Sequence, residues 1–280
     1  MTRQKRCAAI HDISCFGKCS LTVALPVLSA AGIECCCIPT AILSTHTGGF
    51  RGYTYRDLTD DILPVARHWH SEGFRFDAFY TGYLGSPHQV EIVRKVFHTL
   101  DKNHETLRLV DPVMGDHGRL YSGFSPDFPI LMRELVKEAD IICPNITEAS
   151  LLTDTEYRSG VQSRDYINEL LYKLRGLGAG RIVLTGVCFE HSEVGSAVLD
   201  GDEIAFAFAP RIEGVYHGTG DVYASALISA LLRGKSLNDA ARLASHFTAK
   251  CVAVTRETMP DTHYGVRFEA VLPELIDALK

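Results

Sequence analysis

Short apolar runs alternate with helix-length amphipathic segments along most of this 280-residue chain. The apolar runs predict strands at residues 6–10, 33–40, 141–145 and 181–186, a strand with its loop at 77–85, and a strand that runs into a loop at 107–116. The segments between and after them predict helices at residues 19–32, 57–73, 86–100, 128–140, 163–178, 219–233, 236–255 and 268–279. Because such alternation places consecutive strands parallel with helices on both faces, we expect an α/β protein with a mostly parallel central sheet.

Local signals refine this outline. Residues 195–210 predict a β-hairpin around Asp200, Gly201 and Asp202. Pro26 lies inside a predicted helix and is expected to bend it. The helix at 57–73 begins with a capping pattern. Neither a Pro/Ser-rich linker nor a repeat divides the chain, so residues 1–280 are interpreted as a single domain.

Composition excludes several classes of protein. The formal net charge is −6 and there is no basic block, which argues against nucleic-acid binding. No apolar stretch is long enough for a membrane span or a signal peptide. The nine cysteines include the run Cys35–Cys37 but no C-x-x-C pair, so no zinc or redox motif is indicated. We therefore expect free, buried thiols and a cytoplasmic protein.

The segment "GTGD" at residues 218–221 opens a smooth apolar helix. Gly218, Thr219 and Gly220 at a helix start direct several backbone N–H groups to one spot, where the helix dipole adds partial positive charge. Asp221 beside them can accept a proton from a hydroxyl group that attacks a phosphoryl group. The pattern predicts phosphoryl transfer, and a plain capped turn is the structural alternative.

Two further motifs follow predicted strands. Asp111 and Asp116 in "VDPVMGD" suit a metal–phosphate cluster, with an ordinary polar loop as the alternative. Asn145 and Glu148 in "CPNITEAS" lie three residues apart at a helix N-terminus, and their oxygens suit Mg²⁺, with helix capping as the alternative. Since ligands bind at the carboxyl ends of strands in such sheets, we expect these motifs to share one site.

Loops at residues 11–19, 43–49 and 81–86 are rich in His, Ser, Thr, Tyr and Gly, and suit a pocket for a small polar molecule. In chain order, "STHTGG" (44–49), "GYLGS" (82–86), "DPVMGD" (111–116), "PNITEA" (144–149) and "GTGD" (218–221) resemble the ribokinase superfamily. Within it, the chain most resembles the pyridoxal/pyridoxine/pyridoxamine kinases, from about residue 8 to about residue 255.

This resemblance implies a ribokinase-like three-layer sandwich that transfers the γ-phosphate of ATP, with Mg²⁺, to the 5′-hydroxyl of a vitamin B6 vitamer. It implies that Asp221 is the base, that Gly218, Thr219 and Gly220 form the anion hole, and that Asp111, Asn145 and Glu148 organise Mg²⁺. Asp116, Tyr121, Thr185 and Thr219 would lie near ATP. Asp12, Ser14, His46, Thr47 and Tyr83 would face the pyridine ring, and residues 115–126 would cover the phosphates.

The resemblance also implies a homodimer, while a requirement for a monovalent cation such as K⁺ stays open. Better-known pyridoxal kinases often carry Gln-Ser-His where this chain has His11, Asp12 and Ile13, so the preferred vitamer stays open as well. A hydroxymethylpyrimidine or dual-specificity kinase is the close alternative, although the glycine-rich N-terminal run of those enzymes is absent. A pyridoxal phosphate carrier that uses Lys18 is the non-enzymatic alternative. His217 is interpreted as a packing residue.

Overall fold

The computed structural model describes residues 3–259 and 262–280. In this part of the chain the strands are β1 (Arg6–Ser14), β2 (Glu34–Leu43), β3 (Tyr55–Asp57), β4 (Ala78–Thr81), β5 (Leu107–Val110), β6 (Gly115–Asp116), β7 (Arg119–Leu120), β8 (Ile141–Ile142), β9 (Arg181–Val187), β10 (Glu193–Asp200) and β11 (Glu203–Pro210). The helices are α1 (Leu21–Ala30), α2 (Thr59–Ser71), α3 (Pro87–Leu100), α4 (Phe128–Val136), α5 (Ile146–Thr153), α6 (Arg164–Gly176), α7 (Thr219–Leu232), α8 (Leu237–Thr258) and α9 (Leu272–Ala278). None of these helices is long and apolar enough to cross a bilayer.

One sheet of nine strands organises the described residues, in the order β11-β10-β9-β8-β5-β4-β1-β2-β3. The six strands from β9 to β2 pair in parallel. β10 and β11 continue the sheet as an antiparallel hairpin at one edge, and β3 pairs antiparallel with β2 at the other. The mostly parallel sheet confirms the predicted α/β class.

Helices cover both faces of the sheet and bury two apolar cores. Apolar side chains of α2 to α6 pack on one face, and those of α1, α7, α8 and α9 pack on the other. β1 contributes to both cores, because Ala8 faces the first and Cys7 the second. The three layers agree with the ribokinase-like sandwich that the resemblance implies.

Several predicted boundaries were wrong. β1 continues to Ser14, beyond the predicted end at residue 10, because β2 pairs with it along its whole length. α2 starts at Thr59, two residues after the predicted start, and residues 55–57 form an edge strand instead. Its N-cap residue Leu58 has no capping side chain, and the carboxylate of Asp57 accepts from the Thr59 N–H at 2.7 Å. The predicted last helix is divided into a 3₁₀ turn, Phe268–Ala270, and α9. The predicted hairpin at 195–210 is confirmed.

The nine cysteines are all free thiols, as predicted. Their predicted burial was only partly right, since Cys15 is exposed and Cys35, Cys36 and Cys37 are half-buried. The run lies on β2 in the stretch that precedes its pairing with β3, so that strand does not cover it. Cys35 and Cys36 pack toward opposite cores, as the alternation of side chains along a strand requires.

Candidate active site

The N-terminus of α7 forms the centre of the site. Gly218 is the N-cap residue and has a left-handed backbone with φ of 77°. A Cβ atom at this position would overlap the carbonyl oxygen of Lys18, so both the conformation and the close approach require glycine. No described side chain caps the helix. The first backbone N–H groups of α7, at Thr219, Gly220 and Asp221, therefore remain available to an anion.

Asp221 lies in the first turn of α7 and is half-buried. The pKa of its carboxyl group is raised to about 7, mainly by burial and to a smaller extent by the nearby charge of Asp12. The nearby backbone N–H of Ser20 favours the charged carboxylate and opposes the rise in its pKa. A carboxyl group with a pKa near neutrality is suited to accept a proton from a hydroxyl group.

Asp111 follows β5 directly and is 7% exposed. Burial raises the pKa of its carboxyl group well above the usual value, and the charges of Glu148 and Asp221 add to the effect. Burial also raises the pKa of the Tyr121 phenol, and the charges of these acids add to the effect. Asp111, Glu148 and Asp221 are therefore close enough to repel one another, and such a group of carboxylates attracts a cation.

Asn145 and Glu148 form a capping box at the start of α5. The Asn145 side-chain oxygen accepts from the Glu148 N–H at 2.9 Å, and one Glu148 oxygen accepts from the Asn145 N–H at 2.8 Å. The other Glu148 oxygen accepts from the Met114 N–H at 3.2 Å, and the Asn145 amide donates to the Gly115 carbonyl at 2.9 Å. The capping alternative is thus realised, and both side chains already have protein partners.

A ready-made metal cage is absent from the described residues, in which no group of at least three His, Cys, Asp or Glu side chains is arranged around a common point. Asp111 differs from Asn145 and Glu148, because no described residue donates a hydrogen bond to its carboxylate. A cation bound here would therefore contact Asp111 directly and reach Glu148 most simply through water.

Asp12 and Ser14 lie near the end of β1, where the pairing with β2 is irregular between His11 and Ile13. Both are buried, with exposures of 4% for Asp12 and 0% for Ser14. Ser14 donates to one Asp12 oxygen at 3.3 Å, and Ser20 donates to the other. Burial raises the pKa of the Tyr83 phenol, and the charge of Asp12 adds a smaller contribution, so these two predicted substrate residues lie on the same side of the site.

His46 lies in the loop after β2 and belongs to a group of rings from three further loops. Its imidazole centroid is 4.9 Å from that of Phe50 and 5.4 Å from that of His217. Thr47 next to it is exposed. Burial lowers the pKa of both His46 and His217. The packing expected for His217 agrees with its position in this group.

The residues predicted near ATP lie on three separate elements of the fold. Asp116 and Tyr121 belong to the hairpin β6–β7 and its exit, a feature that the sequence did not predict. Thr219 begins α7, and its hydroxyl donates to the Tyr216 carbonyl at 3.4 Å. Thr185 lies on β9 and bridges to Asn145, and its hydroxyl donates to the Pro144 carbonyl at 3.3 Å.

Two residues that carried no prediction belong to the site. Ser20, predicted as ordinary helix interior, contacts both Asp12 and Asp221. Phe124 lies 5.6 Å from Tyr83 between ring centroids and thereby joins the 115–126 segment to the loop after β4. Lys18, considered above for a carrier, forms an ion pair with Glu269 at 2.7 Å. This pairing gives the carrier alternative no support.

Comparisons with known proteins identify the family. The family model described as phosphomethylpyrimidine kinase matches residues 23–266. A Bacteroides thetaiotaomicron structure ascribed to a phosphomethylpyrimidine kinase, crystallised with pyridoxal, is 34% identical and has a TM-score of 0.91, with 98% of this chain and 96% of that chain covered. Pyridoxal kinase from Lactobacillus plantarum is 32% identical and has a TM-score of 0.89, with 98% of each chain covered.

A curated relative agrees with these structures. The pyridoxine/pyridoxal/pyridoxamine kinase of Bordetella avium is 29% identical over 259 residues, which cover 86% of this chain and 82% of that protein. The resemblance deduced from the sequence motifs is thereby confirmed. The chain belongs to the phosphomethylpyrimidine kinase family, and within it to the vitamin B6 kinases of the ribokinase superfamily.

Proposed function

We propose that this protein transfers the γ-phosphoryl group of ATP to the 5′-hydroxyl group of pyridoxal, pyridoxine or pyridoxamine. The observation that carries the proposal is the combination at the start of α7, where free backbone N–H groups lie beside a carboxyl group with a pKa of about 7. Phosphoryl transfer needs both stabilisation of anionic oxygens and a positioned base. The pyridoxal in the Bacteroides structure and the pyridoxal kinase relatives support the choice of substrate.

In this mechanism Asp221 accepts the proton of the attacking 5′-hydroxyl group. Its pKa near 7 keeps much of it ionised at neutral pH and still basic enough to take the proton. Gly218, Thr219 and Gly220 form the anion hole, in which the backbone N–H groups and the dipole of α7 stabilise the transferred phosphoryl group.

Mg²⁺ would bind through Asp111, with Glu148 and Asn145 as outer partners that orient water. The buried and mutually repelling carboxylates fit such an ion, because a cation relieves their repulsion. When bound, Mg²⁺ would neutralise phosphate charge. Asn145 and Glu148 would then act chiefly through their capping box, which holds Met114 and Gly115 against the start of α5.

We further propose that two groups of side chains bind the two substrates. The vitamer would contact Asp12, Ser14, His46, Thr47 and Tyr83. ATP would contact Asp116, Tyr121, Thr185 and Thr219. The segment 115–126 would cover the phosphates and exclude water, and the contact of Phe124 with Tyr83 supports a link between this cover and the vitamer loop.

A hydroxymethylpyrimidine kinase is the second candidate, because the matching family model is described as phosphomethylpyrimidine kinase. The deciding experiment measures ATP consumption with pyridoxal, pyridoxine, pyridoxamine and hydroxymethylpyrimidine, each with and without Mg²⁺. We expect Mg²⁺-dependent turnover of at least one pyridine vitamer. Turnover of the pyrimidine alone would refute the proposed pyridine substrate. No turnover of any of the four compounds would refute the proposed kinase activity.

The role of Asp221 is tested by Asp221→Ala, with Asp202→Ala in the exposed turn between β10 and β11 as control. We expect the first variant to lose about 10²–10⁴-fold in kcat while its Kd for ATP changes little, since this is the usual range for a lost general base. The control should retain wild-type turnover. An Asp221→Ala enzyme with near-normal kcat would exclude this base.

The proposed assembly is a homodimer, and sedimentation equilibrium tests it directly, with a monomer mass as the contrary result. A comparison of turnover in K⁺ and in tetramethylammonium buffers of equal ionic strength tests whether the enzyme requires a monovalent cation.

A further inference from the structure

Ser20 begins a helix but does not use its hydroxyl group to cap it. It is the N-cap residue of α1, and its carbonyl accepts from the N–H groups of Val23 at 3.0 Å and Ala24 at 2.9 Å. A serine here normally turns its hydroxyl group back to cap the helix. In this protein there is no such bond from the Ser20 side chain. The hydroxyl group is therefore committed elsewhere.

The hydroxyl group of Ser20 donates a hydrogen bond to Asp12 at 2.5 Å. Its backbone N–H lies close to the carboxylate of Asp221 and opposes the rise in the pKa of that group. Ser20 and Asp12 are 6% and 4% exposed. One buried residue thus contacts both acids, one through the side chain and one through the main chain.

The backbone of Ser20 is strained. Its φ of 56° and ψ of −131° lie in a region that glycine adopts freely and that costs a residue with a Cβ about 1–3 kcal/mol. Glycine would present the same N–H group without this cost. The one chemical feature that serine adds is the hydroxyl group, so the strain accompanies the bond to Asp12.

Neighbouring contacts hold Ser20 between β1 and the anion-binding turn. Ser20 forms an isolated bridge with Ile13 of β1. Two residues earlier, the N–H of Lys18 donates to the Tyr264 carbonyl at 2.7 Å, and the Lys18 carbonyl lies where a side chain on Gly218 would be. A displacement of this loop would therefore be transmitted to both acids.

We propose that Ser20 is a positioning residue that holds Asp12 and Asp221 in fixed relation to each other, with its hydroxyl group on the former and its amide on the latter. The proposal rests on the proposed function, in which Asp12 meets the vitamer and Asp221 takes the proton from it. Two acids at this range repel each other, and two donors from one rigid residue hold both ionised side chains in place.

The test compares Ser20→Gly with Ser20→Ala, at saturating MgATP and varied vitamer. Both variants lack the hydroxyl group, so we expect each to lower kcat/KM for the vitamer about tenfold, as for a lost hydrogen bond to a charged group. KM for ATP should change less than twofold. Ser20→Gly should melt at or above the wild-type Tm, because it relieves the strained backbone, and Ser20→Ala should melt below Ser20→Gly.

A purely structural role predicts a different pattern, in which activity follows Tm and Ser20→Gly is fully active. That result would overturn the proposal. A double-mutant cycle with Asp12→Ala then tests the connection between the two residues. Without an acid at position 12 the hydroxyl group has nothing to hold, so Ser20→Gly should cause no further loss. An equal tenfold loss in both backgrounds would also overturn the proposal.

Failure of the underlying function gives a separate result. In that case wild-type protein does not phosphorylate the vitamer, or Asp221→Ala is as active as wild type. If both of those controls behave as expected, a wild-type kcat/KM for Ser20→Gly and Ser20→Ala refutes only the role of Ser20.

Discussion

Asp221→Asn should make the protein more stable at pH 8 while it abolishes most activity. The carboxyl group is partly removed from water beside Asp12, and its pKa rises from the ordinary 3.8 to about 7 in the folded protein. The folded state therefore binds the proton more tightly than the unfolded state does. Ionised Asp221 therefore lowers the free energy of unfolding. This loss of stability grows as the pH rises from about 4 to about 7 and is fully present above that range.

The pKa shift sets the size of the effect. A shift of about three units corresponds to at most about 4 kcal/mol in the free energy of unfolding. Since Asp221 is only half-buried, solvent screening reduces the expected gain to about 2 kcal/mol at pH 8. Less than half of this gain in stability should remain at pH 5, because the carboxyl group of the folded wild-type protein is already mostly protonated there.

Urea unfolding at pH 5 and pH 8, without nucleotide or Mg²⁺, measures this gain. Asp202→Asn is the control, because its side chain is 97% exposed and its change should stay within about 0.5 kcal/mol. A variant Asp221→Asn that is no more stable than wild type at pH 8 would refute the reasoning. A gain of equal size at both pH values would show that charge is not its cause.

Three further results are expected. The kcat/KM for the vitamer should fall about tenfold per unit below pH 7, because the base must be ionised, and a flat profile from pH 5.5 to 7 contradicts this. Gly218→Ala should lower kcat at least about tenfold because its Cβ displaces Lys18, whereas Gly234→Ala, with φ of 88° and open space around it, should leave kcat unchanged. In denaturant unfolding, Arg108→Leu should cost about 3–5 kcal/mol, because Arg108 is 2% exposed and its loss leaves the buried Asp101 without its ion-pair partner. The more accessible Arg94→Leu should cost at most about 1 kcal/mol, and equal costs would contradict the burial argument.

Much of the fold could be predicted because the signals are local. Apolar runs of strand length and amphipathic segments of helix length alternate, and each is readable within its own window. The hairpin β10–β11 followed from one turn sequence, and α3 agrees to within one residue with the helix predicted at 86–100. The edge strand β3 and the hairpin β6–β7 were missed, since two or three residues carry no periodicity and gain their pairing from a distant partner or a tight turn.

The sequence motifs of the candidate site could be predicted, but the hydrogen bonds between their side chains could not. "GTGD" indicated an anion-binding helix start, and the geometry at Gly218 agrees with it. The roles of the vitamer and nucleotide residues stay predictions. Asn145 and Glu148 illustrate the difficulty, because an identical spacing serves Mg²⁺ binding and a capping box. The hydrogen bonds of the folded chain form the capping box, and the role toward Mg²⁺ stays a prediction.

Ser20 shows which properties follow from the local sequence and which depend on the tertiary structure. The sequence predicted Ser20 only as part of a helix over residues 19–32, whereas α1 begins at Leu21 with Ser20 as its N-cap residue. Its hydroxyl group nonetheless turns to Asp12 and its amide to Asp221, which lies 201 positions later in the chain. Residue order and periodicity specify elements, chemistry and family, because those depend on neighbours in the chain. Which carboxyl group becomes a base depends on burial and on charges brought together by the sheet, and these exist only in the folded protein.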